Sequence, residues 1–145
     1  MSRQGTDMTR SRVLFLCTHN SARSQMAEGL LRSMAGDRFE AGSAGTEKTS
    51  VHPLAVRAMA EAGIDISAHA SKRYEEVEAK GWDCIITVCD DANERCPIVP
   101  GSVKRLHWSF EDPSRAGGDE AHRLAVFRRV RDQIRARLTA WLATS

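Results

Sequence analysis

The chain has no long apolar run, no strong excess of either charge and no repeated segment. Its apolar stretches span a handful of residues, far short of the roughly 20 needed to cross a bilayer, so no membrane association is expected. A formal net charge of +2 gives no basic face for nucleic acid. The opening MSRQGTDMTRSR is polar and carries no apolar core of a secretory signal. Residues 1–11 therefore read as a flexible leader, with Met8 an alternative start. No Gly/Ser/Pro linker or low-complexity tract divides the remainder of the chain, and residues 12–145 read as one domain. At 145 residues, 41% hydrophobic and 28% charged, it is an ordinary globular chain with enough length for one core.

Cysteine is scarce but suggestively placed: Cys17, Cys84, Cys89 and Cys96. With no export signal the expected compartment is the cytoplasm, where thiols are kept reduced. Four cysteines there point to catalysis, redox exchange or metal binding rather than a disulfide framework.

Val13-Leu14-Phe15-Leu16 is a continuous apolar run, as in a strand covered on both faces of a parallel sheet, and Asp83 to Cys89 is a second buried-strand pattern. Arg38 to Ala41 reads as a short strand ended by a Gly42-Ser43-Ala44-Gly45 turn, and Val103 to Trp108 as a last strand. Helical spacing covers Ser24 to Met34, Pro53 to Ala62, Tyr74 to Lys80 and Asp119 to Leu142, the last with Leu124, Phe127, Ile134, Leu138 and Trp141 inward. Strands alternating with helices give an α/β domain: a small parallel sheet flanked by helices on both faces. Ligands of such sheets bind beyond the carboxyl ends of the strands, and both Cys17 and Cys89 end predicted strands.

The stretch FLCTHNSARSQM carries the chemistry. Thr18, His19, Asn20, Ser21 and Ala22 join a strand end to a helix N-terminus, where successive amides form a ring of donors for an oxyanion. Arg23 adds a planar fork for two oxygens. A Cys17 thiolate at the floor is stabilised by the helix end and the guanidinium, and Ser24 can donate to it. The Lys-Ser/Thr ending of a nucleotide-binding Walker loop is missing, which argues against NTP chemistry. Asp112, before Pro113, is a candidate general acid. Cys89 and Cys96, seven apart across CDDANERC, suit a thiol shuttle that a plain hydrolase has no use for. A structural zinc site is the rival for these two; it would need further ligands from His69, His107 or Cys84, and no close Cys or His pair supplies them. Cys84 reads as an inert core thiol, His52 and His122 as surface or capping residues. The three tryptophans read as packing, and the arginines of the last helix as its solvated face.

The set Cys17 to Gln25 with Met26-Ala27-Glu28-Gly29 resembles the catalytic loop of the thioredoxin-coupled arsenate reductases, which share the low-molecular-weight protein tyrosine phosphatase fold. The resemblance extends through Ser43-Ala44-Gly45, Gly63 to Ser67, Cys89 to Asn93, Cys96-Pro97-Ile98 and His107 to Pro113. It implies arsenate as substrate, with phosphate competing. Cys17 would be the nucleophile, the loop amides and Arg23 the oxyanion binders, and Asp112 the acid. Cys89 would attack Cys17 to release arsenite, Cys96 would then attack Cys89, and thioredoxin would reduce the resulting disulfide; no bound cofactor is implied. Some relatives hold potassium through residues matching Asn20, Glu28 and Ser43 plus an Asp where this chain has Lys72, so here the Lys72 ammonium is expected to replace the cation. His19 stands where many relatives have Gly. The aromatics that wall an aryl substrate in the phosphatases are missing after Pro113, which favours a small inorganic oxyanion. A phosphatase and a non-catalytic binding module remain alternatives, and a monomer is the simplest expectation.

Overall fold

The computed structural model describes residues 10–90 and 103–144. Its sheet has four parallel strands in the order β2-β1-β3-β4: β1 Ser11–Cys17, β2 Phe39–Gly45, β3 Cys84–Thr87 and β4 Lys104–His107. The helices are α1 Arg23–Ala35, α2 Pro53–Glu61, α3 Tyr74–Val77 and α4 Glu120–Thr144. Residues 1–9 of the expected leader and the CDDANERC segment from Asp91 onward lie outside the described residues. Among those described, no helix is long and apolar enough to cross a membrane.

β1 and β3 hold the two central positions, which explains the apolar stretches Val13 to Cys17 and Cys84 to Ile86. Val13, Phe15, Cys17, Cys84 and Ile86 face the main core under α1, α2 and α4. Leu14, Leu16 and Ile85 point the other way, to a smaller cluster with Ala44 and Trp82 under Tyr74 and Val77. The period of two thus sends alternate residues of one strand to two different cores. In α4 the inward stripe is Leu124, Phe127, Val130, Ile134 and Leu138, all essentially buried.

β2 does not stop at Ala41. It pairs with β1 residue for residue from Ser11↔Phe39 to Cys17↔Gly45, so the expected turn at residues 42–45 is strand. The small residues serve packing there. A Cβ on Gly42 would lie 2.5 Å from the Trp82 ring, and one on Gly45 would lie 2.7 Å from the Thr18 carbonyl and 2.9 Å from the Asn20 amide. A second correction concerns the last helix. Arg131 is largely buried and donates to Ala58 O at 2.7 Å, tying α4 to the end of α2. Arg128 grips Glu61 through both carboxylate oxygens, at 2.7 and 2.8 Å.

His52 caps α2, with Nδ1 accepting from the Leu54 N–H at 3.1 Å and Pro53 at the first helical position. Its ring packs on Phe127 at 4.6 Å between centroids. Burial, reinforced by the Arg123 charge and opposed by Asp112, holds its pKa below the ordinary 6.5. The unfolded chain therefore takes up this proton before the folded one. The contribution to stability is complete above the ordinary histidine value and is lost as pH falls below it. His52→Asn keeps a capping acceptor that does not titrate. Denaturant unfolding at about pH 7.5 and 5.5 is expected to show a smaller acid loss for His52→Asn than for wild type, and equal losses would contradict the assignment.

Candidate active site

The segment after β1 is fastened from outside by its carbonyls. Cys17 O accepts from Thr46 N at 3.3 Å, and Thr18 O from Glu47 N at 2.9 Å and Thr46 Oγ1 at 3.2 Å. His19 O accepts from Thr49 Oγ1 at 2.9 Å and Ser71 Oγ at 3.1 Å, and Ser21 O from His52 N at 3.0 Å. With these acceptors turned outward, the amides of the same peptides are left to face the interior of the loop. Ala22, at the N-cap of α1, has no side-chain cap bond, so the positive end of the helix opens on the same space.

Cys17 is 2% exposed at the floor. Its Sγ lies 2.9 Å from Ser24 Oγ and accepts from the Asn20 amide at 3.2 Å. That amide is aimed by an uncommon backbone: Asn20 has φ +50°, the left-handed region that Asn tolerates better than most residues. The side chain holds it there. Asn20 Nδ2 donates to Ser24 Oγ at 2.8 Å, and Oδ1 accepts from Lys72 N at 2.8 Å and Gln25 Nε2 at 2.9 Å. Arg23, 3% exposed, donates through Nη1 to Phe110 O at 3.2 Å and places Nη2 3.6 Å from Asp112 Oδ2. Asp112 Oδ1 accepts from Ser114 N at 3.0 Å and Ser114 Oγ at 2.7 Å. Thus Cys17, Asn20, Arg23, Ser24 and Asp112 converge on one loop.

Behind the loop, Ser43 Oγ donates to Glu28 Oε1 at 2.6 Å and Arg32 Nη2 to Glu28 Oε2 at 2.5 Å. Arg32 also reaches Ala41 O at 3.1 Å and His69 Nε2 at 3.1 Å, while His69 Nδ1 meets Gln25 Oε1 at 3.0 Å. The network therefore runs from Glu28 through Arg32, His69 and Gln25 to Asn20 and the nucleophile. Sequence reading named Glu28 and Ser43 but gave no role to Gln25, Arg32, Ser71 or Thr49. The i, i+4 spacing of Glu28 and Arg32 was the one signal for this pair; no periodicity marks the others. Lys72 gives its amide to Asn20, and its ammonium donates to Ala70 O at 2.9 Å. The cation on Glu28 is the Arg32 guanidinium.

These residues do not fit a potassium ion. Both Glu28 oxygens and Asn20 Oδ1 are already taken by N–H and O–H donors, and Arg32 brings its own charge. Among the described residues no group of three or more His, Cys, Asp or Glu is clustered to hold a metal. His69, His107 and Cys84, the further zinc ligands considered, lie in separate places: His69 in the Gln25–Arg32 network, His107 beside Thr87 and Cys84 inside β3. Replacing sodium by potassium at matched ionic strength is expected to leave both the melting temperature and the affinity for phosphate unchanged. A clear rise in either would show that a cation completes the site.

Cys84 is a free thiol whose pKa burial pushes up, as for an inert core cysteine. Cys17 is also free, whereas Cys89 is disulfide-bonded and fully buried. It lies two residues past β3, on the same edge of the sheet as Cys17. Cys96 falls outside the described residues. Thr18 Oγ1 is buried with no hydrogen-bond partner among the described residues.

The comparisons agree with this geometry. The family model of the low molecular weight phosphotyrosine protein phosphatases matches residues 12–145. An arsenate reductase of Bacillus licheniformis is 45% identical, over 94% of this chain and 99% of its own length. A solved structure described as an arsenate reductase in the phosphate binding state superposes with a TM-score of 0.75 at 33% identity, over 92% of this chain and 98% of that one. The thioredoxin-dependent arsenate reductase of Corynebacterium glutamicum gives 0.67 at 28% identity, over 99% of this chain and 68% of that one. With the anion loop, its nucleophile and the parallel sheet all in place, this chain belongs to the low molecular weight phosphotyrosine protein phosphatase family.

Proposed function

We propose that this protein reduces arsenate to arsenite through three thiols, Cys17, Cys89 and Cys96, and that thioredoxin restores them. The observation that carries the reading is the joint presence of an oxyanion loop built on a free Cys17 and a disulfide-bonded Cys89 on the same sheet edge. A phosphatase needs the first and has no use for the second.

Arsenate sits on the inward amides of residues 18–23 and the Arg23 fork. The Cys17 thiolate attacks arsenic, and an arsenate oxygen leaves as water after taking a proton from Asp112. Cys89 then attacks Cys17 Sγ, forming a Cys17–Cys89 disulfide; the S–As bonding pair departs with arsenic, which leaves as arsenite. Cys96 attacks Cys89, frees Cys17 as thiolate, and becomes the partner of Cys89 in a disulfide that a dithiol protein reduces. The Thr18 hydroxyl, buried and without a hydrogen-bond partner among the described residues, is a further donor available at the loop. No bound cofactor is needed, because the electrons come from the dithiol. Phosphate, of the same shape and charge, competes, and the loop supports a slow phosphatase side reaction. Relatives named as arsenate reductases support this reading, as does the lack of aromatic residues from Ser114 to Gly118. The protein is proposed to work as a monomer in the cytoplasm.

The test is NADPH consumption with arsenate, thioredoxin and thioredoxin reductase, alongside hydrolysis of an aryl phosphate. Cys17→Ser, Cys89→Ser and Cys96→Ser are each expected to abolish arsenate turnover, while Cys17→Ser alone abolishes phosphatase activity. Arsenate turnover that survives loss of Cys89 or Cys96 would overturn the relay and leave the phosphatase as the better account.

A further inference from the structure

His107 has no part in the chemistry above, yet it occupies the same sheet edge. It closes β4 and pairs in register with Thr87, the last residue of β3. The two side chains share a hydrogen bond of 2.6 Å between Thr87 Oγ1 and His107 Nδ1. Thr87 Oγ1 also lies 3.4 Å from Leu106 O. The hydroxyl can therefore donate to Nδ1 of a neutral imidazole. It can equally donate to Leu106 O and accept from Nδ1–H of an imidazolium. Both protonation states of His107 are held in one orientation.

The chain stays extended beyond Thr87. Val88 N donates to Leu16 O at 3.0 Å, and Trp108 N to Thr87 O at 2.8 Å, so both ladders continue past the strand ends. Side chains alternate faces in such a segment, which puts Cys89 on the face shared by Thr87 and His107. In this parallel pair a diagonal neighbour is two residues along and one strand across, about 8 Å between Cα atoms, within reach of a ring. Cys89 is fully buried and disulfide-bonded, whereas His107 is exposed. Asp90 follows Cys89 in the chain, and Lys104 and Arg105 precede His107 on β4.

We propose that His107 is the acid that protonates Cys89 when its disulfide is opened, with Thr87 as the residue that orients the imidazole. The inference rests on the reading that an external dithiol regenerates this disulfide. A thiolate of the dithiol attacks the sulfur bonded to Cys89 and forms a new S–S bond. The old bond breaks, and Cys89 Sγ departs with the electron pair and takes the proton of the His107 imidazolium. The second thiol of the dithiol then resolves the mixed disulfide, and the imidazole recovers its proton from solvent. The dithiol is oxidised and the protein disulfide becomes two thiols. An imidazole suits this task because it gives and regains a proton near neutral pH, and as a cation it stabilises a departing thiolate.

The test needs no arsenate. The oxidised protein is reduced with dithiothreitol from about pH 6 to 9, and free thiols are counted against time for wild type, His107→Gln and Thr87→Val. At the acid end His107→Gln is expected to be roughly ten- to a hundredfold slower than wild type. The ratio should close toward one at the alkaline end, as expected if the proton comes from a group that titrates within the range. Thr87→Val should show a smaller loss with the same pH trend. Equal rates for His107→Gln and wild type at every pH would overturn the proposal. So would a deficit that stays constant across the range, as expected of a structural role. If the pH-dependent ratio appears while the thioredoxin-coupled assay shows no arsenate turnover, the arsenate reading fails and the acid role of His107 stands.

Discussion

Everything at the site depends on which way the peptides of residues 17–21 face. A peptide offers a donor on one side and an acceptor on the other, so an anion site made of amides must send its carbonyls elsewhere. Here they go outward, to Thr46, Glu47, Thr49, His52 and Ser71. The segment from residue 46 to 52 is therefore part of the site, although the sequence marked only His52 in it, and as a surface or capping residue. Gly45 belongs to the same constraint, because a side chain there would collide with Thr18 O and Asn20 N. The left-handed backbone of Asn20 is sustained by three side-chain hydrogen bonds that leave it no cheaper conformation.

The second constraint is a polar network, buried at Glu28, Ser43, Gln25 and Asn20 and reaching the surface at Arg32. Glu28 is 6% exposed, and a lone carboxylate at that depth would be strongly unfavourable. Ser43 and Arg32 supply its partners, and Arg32 passes the connection through His69 and Gln25 to Asn20. Such a chain is stiff because each member has its partners fixed, and removing any one leaves a buried group unpaired. The cation in this network is Arg32, from α1 itself, rather than Lys72, whose ammonium lies on Ala70 O.

How far the sequence could be read depends on where the information sits. The central strands and the long helix are written in periodicity, and the loop chemistry in local order: a thiol, five residues and a guanidinium. Residues 42–45 looked like a turn because Gly and Ser favour turns, but their smallness answers to the Trp82 ring and the loop backbone, which lie far along the chain. Arg131 looked solvated because nothing local marks its partner Ala58, 73 residues away. Gln25, Ser71 and Thr49 act on backbone atoms across the fold, and no pattern within one segment encodes that. Cys17 and Cys89 were legible as strand-end thiols; the cross-strand pairing of Thr87 with His107 needed the register.

The most direct test of the outward-facing carbonyls is amide NMR of the wild-type protein titrated with phosphate. An anion cradled by the loop should move the N–H resonances of residues 18–23 together, with one dissociation constant, and Arg23→Ala should weaken that constant without changing which amides move. Shifts confined to surface lysines and arginines, or loop amides that stay in place at saturating phosphate, would contradict the account.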